Sequence, residues 1–414
     1  MSLYWRKVVA KLDLETFFNS DAVALPRGGF DDSKGDFGAY LNEVFKGYLS
    51  QLELLHDPAF HEIASFANKS KGPISEFASS ISTSVQLYLG GNPLAAYEEI
   101  DLLLRNLDLR HFLTDLSVDT SSINLSDPFS VLRASIFHPA FYRIRSERYG
   151  FVDPDRRDIF HVPFEKRRLV GNQRYSIPGL PCLYLGSSVW ICWEELQRPA
   201  FDSVWVSRFR LAAPVRMLDF QFPPGHVWRI FDALQKGAPN ASDHSSEEAL
   251  RTRFGIDFLK SYIRCWPLIA SCSVRSASQV GAFCPEYIVP QMLLQWVISK
   301  REVDGIRYFS VRTPSGAPYI YAHSNLVFPA RTYSGSGYCA YLREKFCLTE
   351  PISWELLEAA NLGEKNVLPL RSPNRFAFVQ ASRDIQLGYS QTTFSLIEDK
   401  LEEIENKPNC SRTV

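Results

Sequence analysis

Residues 172–196 read NQRYSIPGLPCLYLGSSVWICWEEL. The Pro178-Gly179 pair marks a turn, and CLYL (182–185) is a short apolar strand. Gly186-Ser187-Ser188 breaks that strand and leads into the mainly apolar helix VWICWEELQ. A fold needs the turn, the strand and the apolar helix face. It has no need of Arg174, Tyr184 and Glu195 in particular, so these three are the first candidates for chemistry.

Working outward, the next strand is SVWVSRFRL (203–211). Its alternation sets Trp205, Ser207, Phe209 and Leu211 on one face and Arg208 and Arg210 on the other. DIFHVPF (158–164) reads as a strand ending at Pro163, and DGIRYFSV and PYIYAHSNLVF read as later strands. VPQMLLQWVISK is a helix between these groups. Upstream, the first 140 residues read as helical. In NPLAAYEEIDLLLRNLDL, Asn92 caps, Pro93 suits the first helical position, and Ala96, Ile100 and Leu104 share a face. Weaker helical patterns cover 38–55 and 74–90. After about residue 346 the chain reads as helical again, ending in TFSLIEDKLEEIENKP. The expected organisation is a helical region over 1–140, a mixed α/β domain over 141–345 with an insertion near 220–280, and a helical region over 346–414.

The 414 residues are 45% hydrophobic, 22% charged and 13% aromatic, an ordinary globular balance. Basic and acidic residues number 45 and 46, for a net charge of −1, which gives no general attraction to nucleic acid or anionic membrane. The start MSLYWRKVVAKLDLETFF lacks a secretory apolar core, and no run reaches the roughly 18 apolar residues of a membrane span. The eight cysteines are scattered, with no CxxC pair, as expected of free thiols in a reducing compartment. A cytoplasmic protein is expected. His56 and His61 are five apart, the wrong spacing for a helical zinc pair, and no metal is expected.

The common catalytic signatures are absent: no GxxxxGK[ST], HExxH or GxSxG occurs. GSGYCA (335–340) imitates a dinucleotide fingerprint but follows no apolar strand, and reads as a loop. Arg174, Tyr184 and Glu195 are the better set. A guanidinium presents a planar fork to phosphate oxygens. A tyrosine ring offers a flat apolar face with a polar tip. A carboxylate beside a developing sugar cation stabilises an oxocarbenium-like transition state. Together they suit cleavage of a nucleotide's glycosidic bond. The plainer reading pairs Arg174 with a surface carboxylate, puts Tyr184 in the core and leaves Glu194 and Glu195 on a solvated helix edge.

The stretch QRYSIPGLPCLYLGSSVWICWEEL, followed by DGIRYFSVRTP and SNLVF, resembles the RES domain, a family of bacterial toxins from toxin–antitoxin pairs. The helix EYIVPQMLLQW also resembles that family's helix before its last strands. The resemblance covers about 141–331. It implies an ADP-ribosyltransferase-like α/β (α+β) fold with a mixed sheet core, and cleavage of NAD at the nicotinamide–ribose bond. ADP-ribose would pass to water, phosphate or a protein acceptor. Carried over by position, Arg174 would hold the pyrophosphate and Tyr184 would stack on nicotinamide or its ribose. Glu195 would stabilise charge at the anomeric carbon, Ser310 would orient nicotinamide, and Asn325 would support the site.

The chain departs from the family pattern in three ways. The Glu195–Ser310 separation is long, Gln173 replaces the glycine before the arginine, and Glu194 adjoins Glu195. His161 is either a cleft residue or a satisfied core histidine. An antitoxin or other regulatory partner and a homo-oligomer are further expectations. The competing reading is an inactive RES-like module that binds a nucleotide or a protein.

Overall fold

The computed structural model describes residues 11–31, 35–118, 128–137, 140–146, 154–236, 244–276, 283–312, 324–354, 378–380 and 386–405. The polypeptide forms two compact units. One gathers 1–111, 223–237 and 251–292; the other gathers 112–222, 238–250 and 293–414. Much of the stretch read as an insertion near 220–280 thus belongs with the N-terminal helices.

The first unit is helical, built on Phe37–Leu54, His61–Leu89, Pro93–Asn106, Pro224–Lys236 and Ile256–Cys272. The sequence pattern began the second of these near residue 74. The helix instead runs from His61 straight through Pro73, because its buried face continues on both sides, from Ile63 and Ala67 to Phe77 and Ile81. Asn92 caps the third helix through the Ala95 amide as expected. At the centre Tyr48 and Trp266 stack with centroids 4.0 Å apart. The Trp266 indole donates to the Val23 carbonyl and the Tyr48 hydroxyl to the Ile263 carbonyl.

The second unit is organised by a nine-stranded mixed sheet. Its strands, numbered in chain order, are β1 (Leu113–Leu116), β2 (Phe141–Ser146), β3 (Cys182–Gly186), β4 (Val204–Leu211) and β5 (Val215–Phe220). They continue with β6 (Gly305–Phe309), β7 (Ser324–Pro329), β8 (Phe346–Leu348) and β9 (Ile352–Ser353). The order is β8-β4-β2-β3-β7-β6-β5-β1, with β9 also on β4. All neighbours are antiparallel except β5 and β6. A parallel pair cannot be closed by a hairpin, and the chain between Phe220 and Gly305 supplies the crossover.

Each face of the sheet has its own core. Phe141, Leu183, Leu185, Phe209, Leu326 and Phe328 pack on one side. Tyr142, Ile144, Val204 and Val206 face the other, against Val189 of the helix Val189–Glu195 and against Ile397 and Leu401 of the helix Thr393–Glu405. The alternation read in 203–211 is therefore correct, with Arg208 on the second face pairing with Glu402 and Glu405.

Two local expectations fail. DIFHVPF begins inside the helical turn Arg156–Ile159, where Asp155 and Asp158 form a reciprocal capping box, and is not a strand. Phe346–Leu348 and Ile352–Ser353, read as the start of a helical tail, are edge strands on β4. The expected strand at 318–323 lies outside the described residues.

Candidate active site

The site is built where the helix Val189–Glu195 packs on β2 and β3 and its end reaches toward β7 and the residues just past β6. Cross-strand partners share a face. Gly186 pairs with Asn325, Asn325 with Tyr308, and Tyr184 with Val327, so Tyr184, Asn325 and Tyr308 look the same way. Gly186 is the residue that admits the helix. A Cβ there would stand 2.6 Å from both Cys192 Sγ and Ile191 Cγ2. Ser188 then starts the helix, its hydroxyl accepting from the Ile191 amide at 3.1 Å.

Seven residues later the helix ends and delivers Glu195 over the strand ends. The Ser310 hydroxyl donates to Glu195 Oε1 at 2.6 Å, and Asn325 Nδ2 donates to the same oxygen at 2.7 Å. Arg312 Nε lies 3.3 Å from Oε2. These groups are 115 and 130 residues away in sequence, yet they meet on one carboxylate. The Glu195 side chain is 34% exposed, while Ser310 and Asn325 are 1% and 5% exposed. The acceptor is open to a ligand and its donors are fixed. The Ser310 hydroxyl is itself positioned by the Arg312 amide, which donates to it at 3.1 Å.

Glu194 has a different role. It is buried and holds Arg198 Nε at 3.0 Å. Arg198 also lies over the Trp193 ring, and Gln197 and Arg198 both take left-handed backbone angles (φ 65° and 56°). This ties off the helix end just past Glu195, as the amides of Gln197 and Arg198 donate to the Glu194 and Trp193 carbonyls. Of the two adjacent carboxylates, Glu195 is the one that meets Ser310 and Asn325.

Tyr184 is partly buried, and its hydroxyl donates to the Tyr175 carbonyl. Burial raises its pKa well above the ordinary phenol value. The Tyr175 ring meets Tyr308 at 4.5 Å, which links the Arg174-Tyr175 turn to the strand position beside Asn325. Arg174 itself is buried at 8% exposure within this turn, where Ser176 Oγ accepts from the Gln173 amide. Glu195, Ser310 and Asn325 are joined directly, Tyr184 shares their sheet face, and Arg174 is tied to it through its neighbour.

His161 is no part of this group. Its Nδ1–H donates to the Val162 carbonyl at 2.8 Å and its Nε2 accepts from the Cys339 amide at 2.9 Å. It is 1% exposed, and burial lowers its pKa to about 4. It is a satisfied core histidine. GSGYCA is a loop, as read, leading into the short helix Ala340–Lys345.

Arg312 was not among the candidates. It lies past the end of β6, in a bend where no strand periodicity points to it. Among the described residues no helix is long and apolar enough to cross a membrane. The seven described cysteines are free thiols.

The chain is 31% identical over 356 residues to a protein of Bacillus subtilis (strain 168) named "Putative toxin YopC"; the match spans 85% of this chain and 72% of that one. The chain belongs to the YopC family. No family model matches it, and no solved structure does. A YopC-family chain therefore carries a half-open carboxylate held by two buried donors on a mixed α/β sheet.

Proposed function

We propose that this YopC-family protein is an NAD-cleaving toxin of the RES type, with Glu195 as the carboxylate that acts on the nicotinamide ribose. The observation that carries the proposal is the convergence of Ser310 and Asn325 on Glu195 Oε1, with Arg312 beside Oε2. It supports the residue set inferred from the RES resemblance, because three residues from three separate segments meet. The name of the Bacillus relative supports the toxin role.

In this reading the bond between nicotinamide nitrogen and the anomeric carbon breaks heterolytically. The electron pair leaves with nicotinamide, which departs neutral because it was cationic in NAD. Positive charge then develops at the anomeric carbon and ring oxygen, and Glu195 stabilises it. Ser310 and Asn325 fix the carboxylate before the reaction, so little reorganisation is needed as charge appears. Arg174 takes the pyrophosphate oxygens, and the Tyr184 ring flanks the nicotinamide ribose. A water, phosphate or protein nucleophile attacks the carbon and loses a proton. The enzyme acts in the cytoplasm, where NAD is abundant, and needs no metal. An antitoxin or regulatory protein restrains it, and self-association is a second means of control.

The test is incubation of the full chain with NAD, with nicotinamide and ADP-ribose products followed by chromatography, beside Glu195→Gln and Arg174→Ala. Release by the native chain and its loss in folded variants supports the reading. The form of the ADP-ribose product separates hydrolysis, phosphorolysis and transfer. Neither binding nor cleavage of NAD by the native chain overturns it, and binding without turnover favours the inactive module.

A further inference from the structure

We propose that the C-terminal segment Tyr389–Glu405 is a positioning element for the site: Tyr389 and Glu398 clamp the starting end of the helix that carries Glu195. This rests on the NAD-cleaving reading for its kinetic consequence, though the clamp itself is independent of it.

An α-helix leaves its first amides without intrahelical partners, and a seven-residue helix has little internal cooperativity to fix its axis. Here all three leading amides are met by side chains. Val189 N–H donates to Glu398 Oε1 at 2.7 Å, Trp190 N–H to the Tyr389 hydroxyl at 3.5 Å, and Ile191 N–H to Ser188 Oγ at 3.1 Å. The first two acceptors come from the C-terminal segment, 209 and 199 residues away. They are also joined to each other, since the Tyr389 hydroxyl donates to Glu398 Oε1 at 2.6 Å. Glu398 is 2% exposed and Tyr389 0%, so water does not compete for these bonds. A carboxylate at a helix start also complements the positive end of its dipole.

The clamp is anchored elsewhere. Trp190 packs on Tyr389, and Ile397 and Leu401 pack with Val189, Tyr142 and Val206. Further along the same helix Glu405 pairs with Arg208 Nε at 2.9 Å and Arg210 Nε at 3.3 Å, both on β4. The C-terminal helix is thus fixed to the sheet at one end and holds the site helix from the other. The site helix spans about 10 Å at 1.5 Å per residue, so a small tilt at Val189 displaces Glu195 at the opposite end. Its oxygen must stay within hydrogen-bond reach of two buried donors, and tenths of an ångström matter there.

The test compares the full-length native chain with Tyr389→Phe, Glu398→Gln and Glu398→Leu by hydrogen exchange of the peptide covering 189–196, and by kcat and KM for NAD. Glu398→Gln keeps an acceptor at Oε1 and is expected to preserve protection and most of kcat. Glu398→Leu is expected to lose protection of that peptide and to lower kcat by about tenfold or more, with KM changed less than about twofold, because an interaction made only in the transition state is lost. Tyr389→Phe, which deletes one hydroxyl and leaves the ring, is expected to fall between. Native protection of 189–196 in both Tyr389→Phe and Glu398→Leu overturns the clamp. Lost protection with unchanged kcat overturns the positioning role. Lost protection together with a native chain that never releases nicotinamide upholds the clamp and overturns the NAD reading instead.

Discussion

Glu195 and His161 are both polar side chains set against the same sheet, and they differ in what surrounds them. His161 is enclosed, with each ring nitrogen answered by a backbone group. Glu195 is answered by the side chains of Ser310, Asn325 and Arg312, and a third of its surface remains open. Backbone partners arise from the fold itself, so a residue satisfied by them has no further need of a ligand. Side-chain donors brought from far along the chain onto a half-open acceptor serve no evident packing purpose. That contrast separates a structural polar residue from a site residue in this protein.

The strongest attempt to break the contrast is Glu195→Gln. We expect NAD cleavage to fall by about 10²–10³-fold, a loss typical of one preorganised electrostatic group. The thermal midpoint should move by only a few degrees, since the side chain is partly exposed. A variant that cleaves NAD at the native rate would place the chemistry elsewhere.

Stability against pH tests the other partner of the comparison. His161 is held neutral in the fold with a pKa near 4, against 6.5 for a free imidazole. The unfolded chain takes up the proton first as pH falls. The contribution is therefore fully present above about 6.5 and is lost progressively down to about 4, amounting to roughly 3 kcal/mol. Urea midpoints should fall between pH 7.5 and 5, and His161→Gln should flatten that slope. An equal slope in the variant would assign the dependence to other groups.

Ser310→Ala and Asn325→Ala sharpen the picture. Each deletes one donor to Glu195 Oε1 and is expected to cost about tenfold in kcat, about 1.4 kcal/mol and at the low end of what a hydrogen bond to a charged group contributes. Their double variant should lose less than the product of the two, because both act through one oxygen. Strict multiplicativity in a four-way kinetic cycle would contradict a shared acceptor. The smallest effect is expected of Glu194→Gln, which keeps the contact to Arg198 as a weaker bond. Turnover should stay within about threefold of native, and stability within about 1 kcal/mol. A loss as large as that of Glu195→Gln would mean that the wrong neighbour carries the role.

Much of the site was legible in the sequence, but unevenly. The turn, strand and helix of 172–196 follow from Pro178-Gly179, an apolar run and a Gly-Ser-Ser break. The meeting of Glu195 with Ser310 and Asn325 does not follow from any local pattern. It depends on β3 pairing with β7 and β7 with β6, and only the RES resemblance placed the three on one list. Arg312 lies in a bend past the strand end, outside any periodic pattern. DIFHVPF is no strand because its first residues belong to the helical turn that the Asp155–Asp158 capping box starts. Phe346–Leu348 and Ile352–Ser353 are too short to announce themselves, and become strands because β4 offers them an edge. Pro73 shows the converse, a strong local breaker overridden by a buried helix face on both sides.

The bond between the Val189 amide and Glu398 joins residues 209 positions apart, so a growing chain carries the site helix well before the partner that clamps it. Synthesis runs from the N-terminus at about 5–20 residues per second. Glu195 leaves the ribosome well before Ser310 and Asn325, and the clamp on its helix waits until Tyr389 and Glu398 follow. A nascent chain therefore holds the carboxylate without its donors, then the donors without the clamp. If the finished protein destroys NAD, products that stop short of Ser310 lack a donor that holds Glu195, and those that stop short of Glu398 lack the clamp on its helix.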